Sequence, residues 1–133
     1  MRRHRAARGL ARSDTGAAAL TAAGAEVHRG ALDDLDSLQS GAVAADGVIH
    51  LAYIHDFSDI VAAGVTDLRA VETIGAVLEG SGKPFVVTSG TLVLTPGRLG
   101  TEEDAGPAGV RRVDPENAAC RWPSAGCGRR SCG

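Results

Sequence analysis

Two short apolar runs constrain this chain more than any other feature. They are Gly47-Val48-Ile49-His50-Leu51-Ala52 and Phe85-Val86-Val87-Thr88-Ser89-Gly90-Thr91. Between them Ile60, Val61, Val65, Leu68, Val71, Ile74 and Leu78 recur every three or four residues, which predicts a long helix over 58–79 with Gly80 just past its end. A strand, a crossover helix and a second strand form a parallel pair. In open α/β sheets the carboxyl ends of such strands face ligands. The first run ends in Leu51-Ala52, where the backbone can approach a ligand closely. The second ends in the hydroxyls of Thr88, Ser89 and Thr91. Residues 47–53 are apolar throughout except for His50, which predicts a strand buried on both faces. Pro84 precedes the last strand, where a missing N–H is tolerated.

The upstream residues repeat the alternation. Gly9-Leu10-Ala11 reads as the end of a strand. Ser13 or Asp14 is suited to cap an Ala-rich helix over 15–23 that stops at Gly24. Residues 25–29 alternate as a half-exposed strand, and Asp33-Asp34 caps a helix carrying Leu35 and Leu38 to about residue 45. The expected fold is therefore α/β, a parallel sheet of about four strands with crossover helices. Periodicity ends near Gly97. The chain divides into a basic segment 1–8, a layered unit 9–105, and an irregular tail 106–133 that reads as disordered or non-native chain.

Composition narrows the function classes. A chain of 133 residues supports one modest core, and 18 glycines imply many tight turns. A formal net charge of −2 argues against general nucleic-acid binding. No apolar run is long enough to span a membrane, and no secretory leader is visible at the start; a cytoplasmic location is expected. Cys120, Cys127 and Cys132 are odd in number and contain no Cys-x-x-Cys spacing, which favours free thiols over a disulfide framework or a zinc site. His50, inside an apolar strand, reads as a buried, hydrogen-bonded structural histidine rather than a base. His4 and His28 read as exposed. His55 and Asp56 open the loop after that strand, either on the ligand side or as a solvated cap. Asp67, Arg69, Glu72 and Glu79 read as lying away from the apolar stripe of the long helix.

Four motifs occur in order: Gly9-Leu10-Ala11-Arg12-Ser13-Asp14, Gly30-Ala31-Leu32-Asp33-Asp34, residues 47–52, and residues 85–91. With this spacing the chain resembles the extended and atypical short-chain dehydrogenase/reductase superfamily, in the NAD-dependent epimerase/dehydratase group. The resemblance implies a partial Rossmann-like domain that binds NADP or NAD and serves an oxidoreductase or epimerase acting on a sugar-like or carbonyl substrate. Arg12 and Ser13 would lie where the adenosine ribose rests, and a guanidinium there in place of a carboxylate favours the 2′-phosphate of NADP. Leu32 and Asp33 would border the adenine. Leu51 and Ala52 would line the middle of the cofactor. Thr88 would approach the nicotinamide, and Ser89 or Thr91 would present the substrate-facing hydroxyl. In this family the helix equivalent to 58–79 often builds a homodimer interface, and Glu116-Asn117-Ala118-Ala119 would begin its next helix.

Two departures qualify that resemblance. The family opens with a strand and Gly-x-x-Gly-x-x-Gly, neither of which stands ahead of Gly9. The family's catalytic Tyr-x-x-x-Lys pair is also missing, since the one tyrosine is Tyr53 and the one lysine is Lys83. The sequence therefore reads as an incomplete, weakly active or inactive member. The alternatives are a non-catalytic nucleotide-binding or dimerisation module and a truncated product without activity.

Overall fold

In a computed structural model, residues 6–90, 96–101, 104 and 113–122 are described. Among them the chain is mixed α/β. The elements run β1 (Arg8–Ala11), α1 (Asp14–Ala22), β2 (Glu26–Arg29), α2 (Leu35–Ala44), β3 (Val48–His50), α3 (Ile60–Leu78), β4 (Phe85–Val87) and α4 (Val113–Ala119). The strands form two parallel pairs, β1 with β2 and β3 with β4.

Local chemistry sets the boundaries. Ser13 Oγ accepts the Gly16 amide at 3.1 Å and caps α1, Asp34 accepts from Ser37 to cap α2, and Asp59 accepts from Ala62 to cap α3. Each satisfies an amide that a first helical turn leaves without a partner. Gly24 and Gly80 leave their helices at φ of 79° and 70°, a backbone region that costs glycine little.

The core lies between α2, α3, α4 and the β3–β4 pair. Leu38, Ala42, Ala70, Val71, Ile74, Leu78, Phe85, Ala118 and Ala119 form one buried cluster. On the other pair, α1 packs against β1 and β2, with Leu20 seated over Gly9.

Several expectations need correction. The strand over 47–53 is shorter and is covered on one face: Ile49 is 68% and Leu51 72% exposed, because among the described residues no element lies over the face opposite α3. Asp67 is buried rather than displaced from the stripe, since it bonds His50. His28 is half-buried, its Nε2 donating to the Ser37 carbonyl at 2.8 Å. Cys120 is disulfide-bonded rather than a free thiol. Within the tail expected to be irregular, residues 113–122 carry α4, which includes Glu116–Ala119, where the resemblance implies a helix start. Val113, Pro115, Ala118 and Ala119 are buried there, and Pro115 is tolerated because it falls in the first turn.

The α3–α4 contact depends on a missing side chain. The Trp122 ring sits so close to Gly75 that a Cβ there would fall 2.5 Å from it. Gly75→Val is expected to lift Trp122 from α3 and cost about 1–3 kcal/mol, the usual range for overpacking. Emission from Trp122, the chain's one tryptophan, reports this directly: it should shift to the red, and an unshifted spectrum would refute the contact.

Candidate functional site

The carboxyl ends of β3 and β4 lie side by side. His50 pairs with Val87, and the Thr88 amide donates to the His50 carbonyl at 3.0 Å. The Leu51-Ala52 tip and the Thr88-Ser89 tip are therefore adjacent and co-directional, and all four residues are exposed. Ser89 Oγ donates to Glu116 Oε2 at 2.9 Å, which ties the tip of β4 to α4. Thr91, the other candidate hydroxyl, lies outside the described residues.

Beneath this tip sits a buried polar pair. His50 Nε2 donates to Asp67 Oδ1 at 2.7 Å, with the two residues 6% and 3% exposed. A buried carboxylate is tolerated when it is paired and hydrogen-bonded. The bond fixes the last residue of β3 to the middle of α3, and so fixes where the exposed tip begins.

The loop after β3 is held by its own side chains. Asp56 accepts from the Ser58 hydroxyl and from the Ser58 amide. The hydroxyl bond, then the amide bond, holds the Asp56 carboxyl below its ordinary value. Because that value is lowered, the turn keeps its contacts through the usual carboxylate range and loses them only at lower pH. Tyr53 and His55 meet edge to face with ring centroids 5.3 Å apart.

The end of β1 is arranged differently. Arg12 is exposed and makes no side-chain hydrogen bond or ion pair among the described residues. The Ser13 oxygen is occupied in capping α1, which leaves its proton to donate. Arg29, at the end of β2, braces this turn: Nη1 donates to the Ser13 carbonyl at 2.8 Å and Nη2 to Asp14 at 2.7 Å. Leu32 and Asp33 line a shallow recess with Leu35, Thr66 and Arg69, about 250 Å³ including its open mouth. The part of it enclosed enough to hold a small molecule is about 60 Å³, far below ligand pockets of roughly 300–1,000 Å³.

Sequence reasoning thus located Arg12, Ser13, Leu51, Ala52, Thr88 and Ser89 at strand ends. It did not identify Asp67, Glu116 or Arg29 as the residues that hold those ends. No short-range signal marks them, because each partner lies 15 to 27 positions away.

Over 95 residues the chain is 50% identical to the uncharacterized protein C2A9.02 of Schizosaccharomyces pombe, and over 98 residues it is 43% identical to the uncharacterized protein YLL056C of Saccharomyces cerevisiae. These matches cover 71% and 72% of this chain but 32% and 33% of the relatives, so the chain spans about one third of the length of the curated relatives it matches. No family model matches. No solved structure matches.

Proposed function

We propose that the chain forms part of an NAD(P)-binding layer of Rossmann type, of the short-chain dehydrogenase/reductase kind, serving an oxidoreductase or epimerase that acts on a carbonyl or sugar-like substrate. The observation that carries this reading is the parallel β3–β4 pair with adjacent, exposed carboxyl ends, the place where open α/β sheets bind nucleotides. In this reading the two parallel strand pairs belong to one sheet.

The residues present fit the cofactor's adenosine end. Arg12 offers an uncommitted guanidinium at the end of β1, suited to a 2′-phosphate and hence to NADP. Leu32 and Asp33 supply an edge for the adenine, and Leu51 and Ala52 a surface for backbone contact. Thr88 would meet the nicotinamide side. Ser89, or Thr91, would orient the substrate's oxygen. When bound, the cofactor supplies the hydride chemistry.

Fluorescence titration with NADPH and NADH tests this. NADPH should bind the more tightly, and Arg12→Glu should reverse that preference by at least tenfold. The scale follows from one charge-assisted hydrogen bond at about 1.5–3 kcal/mol and about 1.4 kcal/mol per factor of ten. An unchanged ratio in the variant would remove Arg12 from the site. Turnover of a carbonyl panel would separate an enzyme from a binding module.

One observation favours the second reading, a non-catalytic dimerisation module. Ile60, Val61 and Val65 on α3 are 53%, 49% and 41% exposed, an apolar face suited to a homodimer through 58–79. Among the described residues no helix is long and apolar enough to cross a membrane.

A further inference from the structure

A side-chain bond at the tip of β4 fixes the direction of a proton. Ser89 Oγ donates to Glu116 Oε2 at 2.9 Å, and an ionised carboxylate can only accept. A serine hydroxyl carries one proton and two lone pairs. With the proton committed to Glu116, Ser89 presents lone pairs to whatever approaches. It makes no other side-chain hydrogen bond among the described residues. A hydroxyl that donates to a charged acceptor is polarised and becomes the better acceptor itself. Ser89 is exposed, so a ligand can reach those lone pairs.

The packing of α4 holds the carboxylate in place. Val113 and Pro115 before Glu116, and Ala118 and Ala119 after it, are buried. The Trp122 ring closes on Gly75 of α3, and Arg121 Nη1 stands 4.0 Å from Glu72 of the same helix. Glu116 is half-buried, so Ser89 meets an acceptor carried on a docked element rather than a freely swinging surface side chain. Satisfying Ser89 does not require this bond, because an exposed hydroxyl can bond water at little loss. What the bond changes is which way the hydroxyl points.

We propose that Glu116 is a positioning residue that makes Ser89 a hydrogen-bond acceptor, so that the tip of β4 takes the hydroxyl form of a substrate, the O–H of an alcohol or sugar, in preference to its carbonyl form. A carbonyl oxygen brought to Ser89 meets lone pairs and no proton. A carboxylate or phosphate would meet the like charge of Glu116 as well. This assignment rests on reading the tip as the substrate side, and it narrows that reading to a substrate class. The two separate by experiment, because the preference is measured without nucleotide. Failure of NADPH to bind would remove the cofactor reading and leave the preference standing; a lost preference with NADPH still bound would remove Glu116's role alone.

Titration of the full chain with cyclohexanol and with cyclohexanone, followed by the amide shifts of Ser89 and Gly90, tests this. The two probes are close in size and differ in whether the oxygen carries a proton. Cyclohexanol should bind about fivefold more tightly, the scale of one neutral hydrogen bond. In Glu116→Ala the released Ser89 proton can serve a carbonyl, so the preference should vanish or invert. Ser89→Ala should abolish the preference too, and the double variant should add nothing to it. Asn117→Ala, exposed on the same helix, should keep the wild-type ratio. Unshifted Trp122 emission shows that α4 stays docked in Glu116→Ala; should it move, Ser89→Ala alone reads the preference. Equal affinities in the wild type, tighter binding of the ketone, or no binding of either probe would overturn the proposal. So would a docked Glu116→Ala that weakens both probes in the same proportion, the mark of a bond that serves stability only.

Discussion

Replacing His50 by alanine is expected to be among the most damaging single changes to this chain, at about 3–5 kcal/mol. The cost arises from what stays behind. Asp67 is 3% exposed and its Oδ1 accepts from His50 at 2.7 Å; without the imidazole, a carboxylate remains in the core with its principal donor removed. A buried ion or hydrogen-bonded charge that loses its partner retains its desolvation penalty and loses the compensation. Replacing both partners by leucine should recover most of the loss, since a buried polar pair can be exchanged for apolar volume near neutrality. Urea unfolding of the wild type, both single variants and the double variant forms a cycle that measures the coupling. A coupling energy near zero would mean that the pair does not hold β3 to α3.

Phe85→Ala is the second large effect, again about 3–5 kcal/mol. Phe85 is fully buried at the start of β4 and joins the cluster that contains Leu78, Ile74 and Ala118. Its removal deletes contacts with two helices and leaves a cavity that a three-residue strand cannot close by shifting, because its register with Val48 is fixed by the ladder. Phe85→Leu should cost much less, because more of the volume remains. Urea midpoints of the two variants separate these cases, and equal losses would show that the site relaxes freely.

Much of the secondary structure was readable from residues that act locally. Ser13 and Asp34 cap helices where their side chains predict, and Gly24 and Gly80 end them, whereas α3 begins at Ile60 behind an Asp59 cap, two residues later than the pattern predicts. The parallel β3–β4 pair follows from two apolar runs separated by a helix. What was not legible depends on packing at a distance. The buried face of α3 combines Val71, Ile74 and Leu78 of the predicted stripe with small residues, Ala63, Gly64, Ala70 and Gly75, and with Asp67 among them. The longer Ile60, Val61 and Val65, which dominate a hydrophobicity pattern, are exposed. A carboxylate on the small-residue face looks misplaced until β3 brings His50 against it. The helix α4, implied at Glu116–Ala119 by the resemblance, leaves no periodic signal for a related reason: it has seven residues, and it is stabilised by the groove that Gly75 leaves for Trp122. Likewise the open face at Ile49 is invisible in a run that reads as buried on both sides, because alternation cannot show whether a covering element is present.

The central claim is that the ends of β1, β3 and β4 face one nucleotide. Backbone amide chemical shifts recorded during an NADPH titration test it most directly. The account predicts that Arg12, Ser13, Leu51, Ala52, Thr88 and Ser89 shift together with one saturation curve, while Gly47 and Lys83 at the opposite ends of β3 and β4 stay still. Shifts confined to those opposite ends, or absent from the tips at millimolar NADPH, would contradict it.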